Sequence, residues 1–467
     1  SVTEPVLERV AAVNAGLAAF GEALRTQGAP ALDVAWRPPD GGDPASLEAL
    51  TALWGRHGDR VDAANREALE RIESSRPLAV TVAPARDALG LDGRTLLHAG
   101  PPIAWDDVCD PQRRAMVAAC LFEGWASDRE RAAELLAAEE VALRCGNEHG
   151  HVGAMTGICS PSMPVWVVED EAAGTRACST LNEGPGHALW FGVGDDEALA
   201  RLRFFRDHAG PLLARLLQSE GPVDVFALAA QGLQMGDELH MRSQATGNLL
   251  LRGLVAGFAA HGGAEVARVI AGNHHFFLPL TMAAAKCASL AASGTPASSL
   301  VNVISRNGTT MGVQLAGLPG RWFCAPAAPV RDALLRDGFR EEDASLDIGD
   351  SAVIECVGLG GVAVAASPAV AAFFGGSAAD AVARTALMGE ICAARSRRFT
   401  VPTLDFAGTP VGIDARLVVE LRVTPQVTTG VLHASAGMGQ IGAGVAHQPL
   451  APFRASLGAL AKTLDEG

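Results

Sequence analysis

The sequence contains no tyrosine, and aromatic residues make up only 5% of its 467 residues. Proteins that bind single-stranded nucleic acid stack bases on aromatic side chains, so this scarcity argues against that class. Positive charge is also scarce, because 37 lysines and arginines face 52 aspartates and glutamates, for a formal net charge of −15. No basic stripe is available for a phosphate backbone. The acidic balance instead fits a soluble cytoplasmic protein.

Several common motifs are missing. The nine cysteines include no C-x-x-C pair and are odd in number. This argues against a structural zinc cluster and against a disulfide framework, and predicts buried free thiols. The sequence also lacks G-x-x-x-x-G-K-[ST], G-x-S-x-G and H-E-x-x-H. The first ten residues, SVTEPVLERV, are charged and amphipathic, which argues against a signal peptide.

One long stretch without charge, Cys356–Ala379, could in principle span a bilayer. It is rich in alanine and is interrupted by several glycines and by Pro368. We therefore interpret it as a buried strand, a glycine turn and a short buried helix, with a membrane span as the alternative.

Hydrophobic residues make up 49% of the sequence, enough for substantial cores, and the length predicts a multi-domain α+β protein. Helical periodicity is predicted over 5–27, 45–74, 110–144 and most of 196–292. Strands are predicted over 31–36, 77–85, 165–170, 299–315, 350–361 and 416–425. We expect four domains: a small N-terminal α/β unit over 1–95, an α+β domain with Gly/Pro-rich loops over 96–195, an inserted mainly helical domain over 196–296, and an α+β domain over 297–467.

Several segments combine glycine with titratable residues, as ligand-binding loops do. His98 ends a predicted strand and precedes Gly100, where the backbone could approach a ligand closely. A histidine there can polarise a carbonyl group or move a proton, or it can simply hydrogen-bond the turn.

Two histidines, His149 and His151, are spaced so that they would share one face of a strand. With a third ligand they could chelate a metal. The surrounding segment, 147–157, is nevertheless typical of a loop.

Two further segments carry candidate polar groups. Glu183 lies in the loop NEGPGH and could accept a hydrogen bond from an amide or act as a base, or it could cap a turn. If 231–247 is helical, Gly236, His240 and Gly247 fall near one face, and Arg242 follows. The alternative there is a solvated charged surface.

Arg306 precedes Asn307, Gly308 and Thr309 between two predicted strands. Asn-Gly is a strong hairpin signal, but an arginine beside free backbone N–H groups also suits phosphate or carboxylate. Further on, His433 precedes a run, Gly437–Gly444, that fits G-x-G-x-x-G by letter. Because no βαβ unit surrounds that run, we expect a compact anion-binding or packing loop and not a dinucleotide site.

Taken together, these segments resemble the YlbE-like family, which includes the AllG subunit of oxamate carbamoyltransferase. The resemblance covers about residues 76–467, and the first 75 or so fit less well. It is carried, in this order, by LLHAGPPIAW, CLFEGWA, GHVGAMTGICSPSMPVWVVED, LNEGPGHALWFG, QGLQMGDELHMR, SRNGTTMGVQLAGLPGRWFCAP, DIGDSAVIECVGLGG and AGMGQIGAG.

The resemblance implies carbamoyl transfer in purine and allantoin nitrogen catabolism, in which oxalurate and phosphate interconvert with oxamate and carbamoyl phosphate. It implies two companion subunits, one FdrA-like (acyl-CoA-synthetase-like) and one smaller. We also expect a homo-oligomer, no nucleic-acid or membrane partner, no metal and no cofactor.

Carbamoyl transfer needs donors for phosphate, a polarising group at the carbamoyl oxygen and a cation for the substrate carboxylate. On that ground we assign Arg306 with the backbone of Asn307, Gly308 and Thr309 to an anion clamp. His98, with Gly100 beside it, is assigned to the carbonyl oxygen. His240 and Arg242 are assigned to the carboxylate end, Glu183 to an amide NH₂, and His433 to substrate binding.

Two other hypotheses remain open. One is a metal-dependent C–N hydrolase that uses His149 and His151. The other is a non-catalytic assembly subunit in a complex whose chemistry belongs to the FdrA-like partner.

Overall fold

The computed structural model describes residues 12–34, 37–373, 375–435 and 437–467, and it confirms the predicted α+β class. Strands of two to ten residues form six small sheets. In chain order the strands are β1 Ala12–Ala15, β2 Ala31–Val34, β3 Leu78–Pro84, β4 Thr95–His98, β5 Ala142–Cys145, β6 Pro164–Asp170, β7 Thr175–Thr180, β8 Val223–Asp224, β9 Val301–Asn307, β10 Thr310–Leu315, β11 Phe323–Pro326, β12 Val330–Leu335, β13 Ile348–Gly349, β14 Cys392–Val401, β15 Ala407–Ile413, β16 Gln426–Leu432 and β17 Gln440–His447.

The α-helices range from 5 to 17 residues. In chain order they are α1 Ala18–Thr26, α2 Pro44–Thr51, α3 Gly58–Ser74, α4 Ala85–Leu89, α5 Asp110–Phe122, α6 Arg129–Ala137, α7 Asp196–Phe204, α8 Gly210–Glu220, α9 Val225–Gln234, α10 Gln244–Ala260, α11 Ala264–Ala271, α12 Leu278–Ala292, α13 Pro368–Ala372, α14 Ala378–Gly389, α15 Ala415–Leu421 and α16 Ala451–Glu466. Short 3₁₀ and π turns link many of these elements.

Several helices begin at an aspartate whose carboxylate accepts a backbone N–H of the first turn. Asp128, Asp195 and Asp224 cap α6, α7 and α9 in this way. Such a cap satisfies one of the unpaired donors at a helix start, and its negative charge is favourable beside the helix dipole. Proline in the first turn of α5, α12 and α16 fixes their starts further.

Antiparallel pairing dominates the larger sheets. One sheet has the order β7-β6-β3-β8, a second β11-β10-β9-β13 and a third β12-β17-β16. β4 and β5 pair in parallel, which places His98 opposite Cys145. This register brings the loop after β5 next to the turn after β4.

Helix α12 lies at the centre of the molecule. Thirteen of its 15 residues are buried, and it packs against α3, α9, β6 and β7. The largest hydrophobic cluster runs from Ala68 to Leu432 and draws residues from each of the four predicted domains. The predicted boundaries at 95/96, 195/196 and 296/297 stay a prediction.

Many predicted elements are confirmed: helices within 45–74 and 196–292, and strands β3, β6, β9 and β10. The Asn-Gly hairpin is also confirmed, because β9 and β10 pair across it. Four expectations were wrong. Residues 12–15 form a strand that pairs with β2, and not the start of a helix. Residues 1–11 of the chain, and residues 35–36 of the strand predicted over 31–36, lie outside the described residues.

The other three errors concern segments around buried polar groups. Residues 235–243 are a loop between α9 and α10, and not a continuing helix. Residues 350–361 form short 3₁₀ turns, and 415–421 form helix α15, where strands were predicted. The apolar run after Cys356 likewise continues as 3₁₀ helix and α13, because left-handed Gly358 and Gly360 break any extended path. None of the helices in the described ranges has both the length and the apolar character needed to cross a bilayer.

Candidate active site

A narrow cavity lies where six parts of the chain meet, among them several loops and the strands β16 and β17. Its walls include Met155, Trp190, His240, His275, Thr429 and Gln440. About 30 Å³ is free for the centres of water molecules, room for about two waters. Two imidazole rings thus face one small cavity, which we call the histidine cavity.

The loop that carries His240 is wrapped around a buried carboxylate, that of Glu238. Its Oε1 accepts the backbone N–H of His240 at 3.1 Å and of Arg242 at 2.7 Å, and that of Met241 as well. Its Oε2 accepts the hydroxyl of Thr428 at 3.1 Å, which ties the loop to β16. Leu239 in the same loop has a left-handed φ of 74°, a costly conformation for a branched side chain. These contacts fix the position of the His240 backbone.

The ring of His240 is held by a second buried carboxylate. Nδ1 of His240 lies 2.8 Å from Oε1 of Glu355, and the backbone N–H of Gly361 donates to the same oxygen at 2.9 Å. An ionised carboxylate can only accept, so a neutral His240 ring paired with an ionised Glu355 carries its proton on Nδ1 and keeps a lone pair on Nε2. Nε2 forms no hydrogen bond with the described residues.

Gly360 allows this close pairing. Its φ is +67°, and a Cβ there would lie 2.4 Å from Oε1 of Glu355 and 3.2 Å from Cβ of His240. Any side chain would therefore push the two partners apart.

Loss of hydration shifts two acid–base groups in this region. Burial raises the pKa of Glu238 to about 7, and the nearby Glu355 carboxylate acts in the same direction. Burial lowers the pKa of His275 to about 4, and its Nδ1 has no hydrogen-bond partner. His275 is therefore neutral at pH 7, and its ring can donate one hydrogen bond without carrying charge.

A second buried polar cluster, which we call the Asp350 cluster, adjoins the cavity through Ser351 in its wall. Oδ1 of Asp350 accepts the N–H of Gly100 at 3.0 Å and the amide of Asn147 at 3.1 Å, and also the hydroxyl of Ser305. The ammonium of Lys286 on α12 donates to Asn147 at 2.9 Å. Burial raises the pKa of Asp350 and lowers that of Lys286.

Arg306 belongs to this paired region and is fully buried. Its Nε and Nη2 donate to Asp347 at 2.8 and 3.0 Å, and its Nη1 donates to the carbonyl of Gly349. The guanidinium expected to clamp an anion is thus occupied by an internal carboxylate. In this geometry it supports the 347–350 turn, and a direct role in the site stays a prediction.

The rest of the expected anion clamp is also internally bonded. Oδ1 of Asn307 accepts the N–H groups of Thr309 and Thr310 at 3.1 and 2.6 Å. Gly308 has a φ of +79° and lies against Cys109, and the hydroxyl of Thr309 donates to the Asp107 carbonyl at 2.8 Å. The turn therefore has its donors satisfied.

His98 and Gly100 lie behind this turn. His98 is 1% exposed, its Nδ1 is 2.9 Å from its neighbour's carbonyl, and burial lowers its pKa. Gly100 has a φ of +91°, and a Cβ there would meet Cβ of Asn307 at 2.3 Å. Both residues therefore lie inside a packed junction.

The remaining predicted residues surround the cavity without lining it. Glu183 accepts the N–H of Leu189 at 2.6 Å, and burial raises its pKa to about 7. The side chain of Arg242 points to Asp237, with Nε 3.4 Å from Oδ1. His433 follows β16, and its ring packs edge-on against Phe339. Of the ten predicted site residues, His240 is the one in the wall of the histidine cavity.

Comparison with known proteins identifies the family. The chain is 40% identical over 416 residues to the oxamate carbamoyltransferase subunit AllG of Escherichia coli K12, a match that covers 87% of this chain and 99% of AllG. The chain belongs to the AllG family. The family model described as oxamate carbamoyltransferase subunit AllG matches residues 141–351. The resemblance read from the sequence is thereby confirmed.

Two further relatives of this AllG-family chain carry no assigned function. The uncharacterized protein YahG of Escherichia coli K12 is 36% identical over 452 residues, covering 95% of this chain and 96% of YahG. A crystal structure of a conserved protein of unknown function from Enterococcus faecalis V583 is 35% identical, with a TM-score of 0.85. That match covers 87% of this chain and 99% of that chain.

Sequence reasoning missed several groups that build the cavity of this AllG-family chain. Glu238 and Glu355 lie inside quoted motifs but received no role, and His275 was not considered. The available signal was chemical: each of the three is a titratable residue followed or surrounded by apolar ones. A buried ionisable group of this kind needs a partner or a function.

Metal ligation gains no support from the described ranges. They contain no group of three or more His, Cys, Asp and Glu side chains placed to hold an ion. Nδ1 of His149 lies 3.0 Å from the Cys145 carbonyl, while both ring nitrogens of His151 are buried without partners. Burial lowers the pKa of His151 to about 3. The hydrolase hypothesis therefore lacks a ligand set here.

Proposed function

We propose that this chain is a subunit of a carbamoyltransferase complex. The reaction interconverts oxalurate, or a related ureido acid, plus phosphate with oxamate, or the corresponding amide, plus carbamoyl phosphate. Support comes from 40% identity over 99% of AllG, whose name states that activity. The observation that carries a catalytic role is the His240–Glu355 pair, buried beside a cavity and 2.8 Å apart.

The reaction needs one proton to move. A phosphate oxygen attacks the terminal ureido carbon, the bond from that carbon to the inner nitrogen breaks, and oxamate leaves as an amide. HPO₄²⁻ gives up its proton and the leaving nitrogen takes one, so charge and atoms balance. A single base that accepts the first proton and donates it to the nitrogen serves both directions.

His240 is suited to that proton transfer. Glu355 fixes its Nδ1–H and leaves Nε2 free as a base. The carboxylate also stabilises the imidazolium that forms when Nε2 takes the phosphate proton.

His275 is suited to donate a hydrogen bond to the carbonyl oxygen of the group that is transferred. Because its pKa is about 4, it stays neutral and can donate a hydrogen bond where negative charge develops. A neutral donor keeps its own proton, so the proton that moves from phosphate to the leaving nitrogen is carried by the base alone.

The histidine cavity is narrower than a ureido acid, so substrate entry requires its walls to move. The FdrA-like subunit and the smaller companion subunit remain the predicted partners that could complete or open it. A cytoplasmic location and self-association likewise remain predictions.

The test is phosphate-dependent cleavage of oxalurate, followed by the release of carbamoyl phosphate. The chain is assayed alone and then with its two companion subunits. We compare His240→Asn with His261→Asn, an exposed histidine at the end of α10. Loss of about 10²-fold or more for His240→Asn, with His261→Asn unchanged, is expected for a general base.

The outcomes separate the hypotheses. Activity of the chain alone would mean that the whole site lies here, whereas activity in the complex alone would mean a shared site. An active complex that keeps full activity with His240→Asn would contradict a catalytic role and favour an assembly subunit. A complex that releases no carbamoyl phosphate from any ureido acid would overturn the proposed reaction.

A further inference from the structure

A second and larger cavity lies on the far side of one wall of the histidine cavity. Its volume is about 510 Å³, and Arg113, Arg114 and Arg129 line it together with Trp105 and Gly437. We call it the arginine cavity. Its three guanidinium groups come from the start of α5 and the start of α6.

Much of the donor capacity of these arginines is unused. The guanidinium of Arg129 forms no hydrogen bond or ion pair with the described residues, and its charge is among the causes that lower the pKa of Asp195. Arg114 bonds Asp110 through Nε at 2.6 Å, which leaves both Nη groups free. Arg113 donates through Nε and Nη2 to carbonyls of residues 105–108, the segment before α5, and its guanidinium stacks over the Trp105 ring at 4.8 Å.

The acidic groups at this cavity are already paired. Asp195 in the wall accepts the N–H of Ala198 at 2.9 Å and pairs with His187. Asp110 is held by Arg114. Three cations therefore face two engaged carboxylates, and an oxyanion with several lone pairs suits the free N–H groups.

The two cavities share a thin wall. Trp190 and Phe191 face the histidine cavity, and the next residues, 192–195, face the arginine cavity. The segment 437–440 also separates the two cavities, because Gly437 lines the arginine cavity and Gln440 lines the histidine cavity. A Cβ on Gly439 would lie 3.0 Å from Val193, so these two wall segments touch.

The histidine cavity on its own is poorly suited to bind a phosphate anion. Within the described part of the chain no arginine or lysine lines it, and the carboxylates of Glu238 and Glu355 lie behind His240. A phosphate dianion placed there alone would be repelled. We propose that the arginine cavity binds a tetrahedral phosphate oxyanion, free phosphate or the phosphoryl group of carbamoyl phosphate. To reach Nε2 of His240, which takes its proton in the proposed reaction, the anion must pass the shared wall, which must move for the ureido acid to enter as well. Naming phosphate as the anion rests on the proposed function.

The test measures binding of inorganic phosphate to the full chain by calorimetry, and repeats it with the assembled complex. Arg129→Gln and Arg114→Gln are compared with Arg131→Gln. Arg131 lies on α6 too, pairs with Glu134 at 2.9 Å and does not line the cavity. We expect the first two variants to weaken phosphate binding by about tenfold or more each, and Arg131→Gln to leave it unchanged.

Three competitors distinguish the sources of the anion. Carbamoyl phosphate should displace phosphate, whereas oxalurate and oxamate, which are carboxylates, should not. Displacement by oxalurate through Arg129 would show a carboxylate site and overturn the proposal. Equal phosphate affinity in wild type, Arg129→Gln and Arg114→Gln would overturn it too, as would no phosphate binding in either form of the protein.

The phosphate-binding measurement does not depend on whether the complex turns over a substrate. Arginine-dependent phosphate binding in a complex that never makes carbamoyl phosphate would leave this inference standing and the proposed reaction refuted. His240→Asn gives the converse check, because it should lower turnover by about 10²-fold or more and leave phosphate affinity unchanged.

Discussion

The histidine cavity and the Asp350 cluster contain the same kinds of residue but differ in what is left unpaired. In the Asp350 cluster, Asp350, Asn147 and Arg306 meet partners on every side. In the histidine cavity, Nε2 of His240 has no hydrogen-bond partner among the residues that the structure describes, and open space lies beside it. A buried polar network whose members are all satisfied makes a structure specific, whereas an unsatisfied one beside a cavity has capacity for a ligand. Both regions come from family motifs, so the motifs alone do not separate the two roles.

The largest effect on stability is expected for Arg306→Met. The change leaves Asp347 as a buried charge with Gln448 as its remaining partner, so we expect unfolding to become easier by about 3–5 kcal/mol. Denaturant unfolding measures it. Arg76→Met is the control, because Arg76 is exposed and pairs with Asp224 at 3.0 Å, for which less than about 1 kcal/mol is expected. If Arg306→Met is instead as stable as wild type but has lost turnover, the result would indicate that Arg306 acts directly in the active site.

Glu238 should make stability depend on pH. Burial raises its pKa from 4.5 to about 7, so the folded protein binds more protons than the unfolded chain between those values. Its contribution is full below pH 4.5 and is lost as the pH rises to about 7, at most about 3 kcal/mol. His275, with its lowered pKa, acts in the opposite direction. We therefore compare unfolding of wild type and Glu238→Gln from pH 4.5 to 7.5 and expect a flatter profile for the variant.

The amide in Glu238→Gln can still accept the backbone N–H groups through its oxygen, so the loop should keep its shape. Glu265→Gln, at an exposed position of α11, is the matched control and should retain the wild-type profile. Identical profiles for wild type and Glu238→Gln would mean that Glu238 does not bind a proton in this range.

The smallest of these effects is expected for Glu355→Gln. Glu355 acts through His240, and a neutral amide can present either its oxygen or its NH₂ to Nδ1, so the tautomer is no longer fixed. We expect turnover to fall by about 10–100-fold with KM nearly unchanged. ¹⁵N NMR of the imidazole should show Nδ1–H in wild type and a mixture in the variant. A single unchanged tautomer together with unchanged turnover would contradict the positioning role.

Local signals predicted most of the fold. Helices of 45–74 and 196–292 and the β9–β10 hairpin follow from periodicity and an Asn-Gly turn. The failures at 235–243 and 350–361 share a cause, since each segment wraps around a buried carboxylate, Glu238 or Glu355. In the sequence, apolar residues beside a buried carboxylate look like part of a helix or strand. In the fold, hydrogen bonds to that carboxylate override the pattern.

The site was less predictable than the fold. His240 was found because a histidine among glycines and charges suggests chemistry. His98, Arg306 and Asn307 carry the same suggestion, yet each is bonded inside the protein. The His98 ring lies against the Ala99 carbonyl, Arg306 pairs with Asp347, and Asn307 donates to the Pro101 carbonyl. His275 reaches the cavity only because α12 is centrally placed. Which polar atom remains free is a property of three-dimensional packing, and the linear order of residues does not determine it.

The central position of α12 has a consequence for how the chain reaches this structure. Its partners lie before residue 75, between 164 and 180, between 225 and 234 and beyond 300. Contacts of such sequence separation form late, because the intervening loops must close first. Synthesis of residues 1–300 alone would leave the apolar faces of α12 partly uncovered. A ribosome-bound chain of that length should therefore bind a chaperone. The chain should become resistant to protease only after the last strands are added.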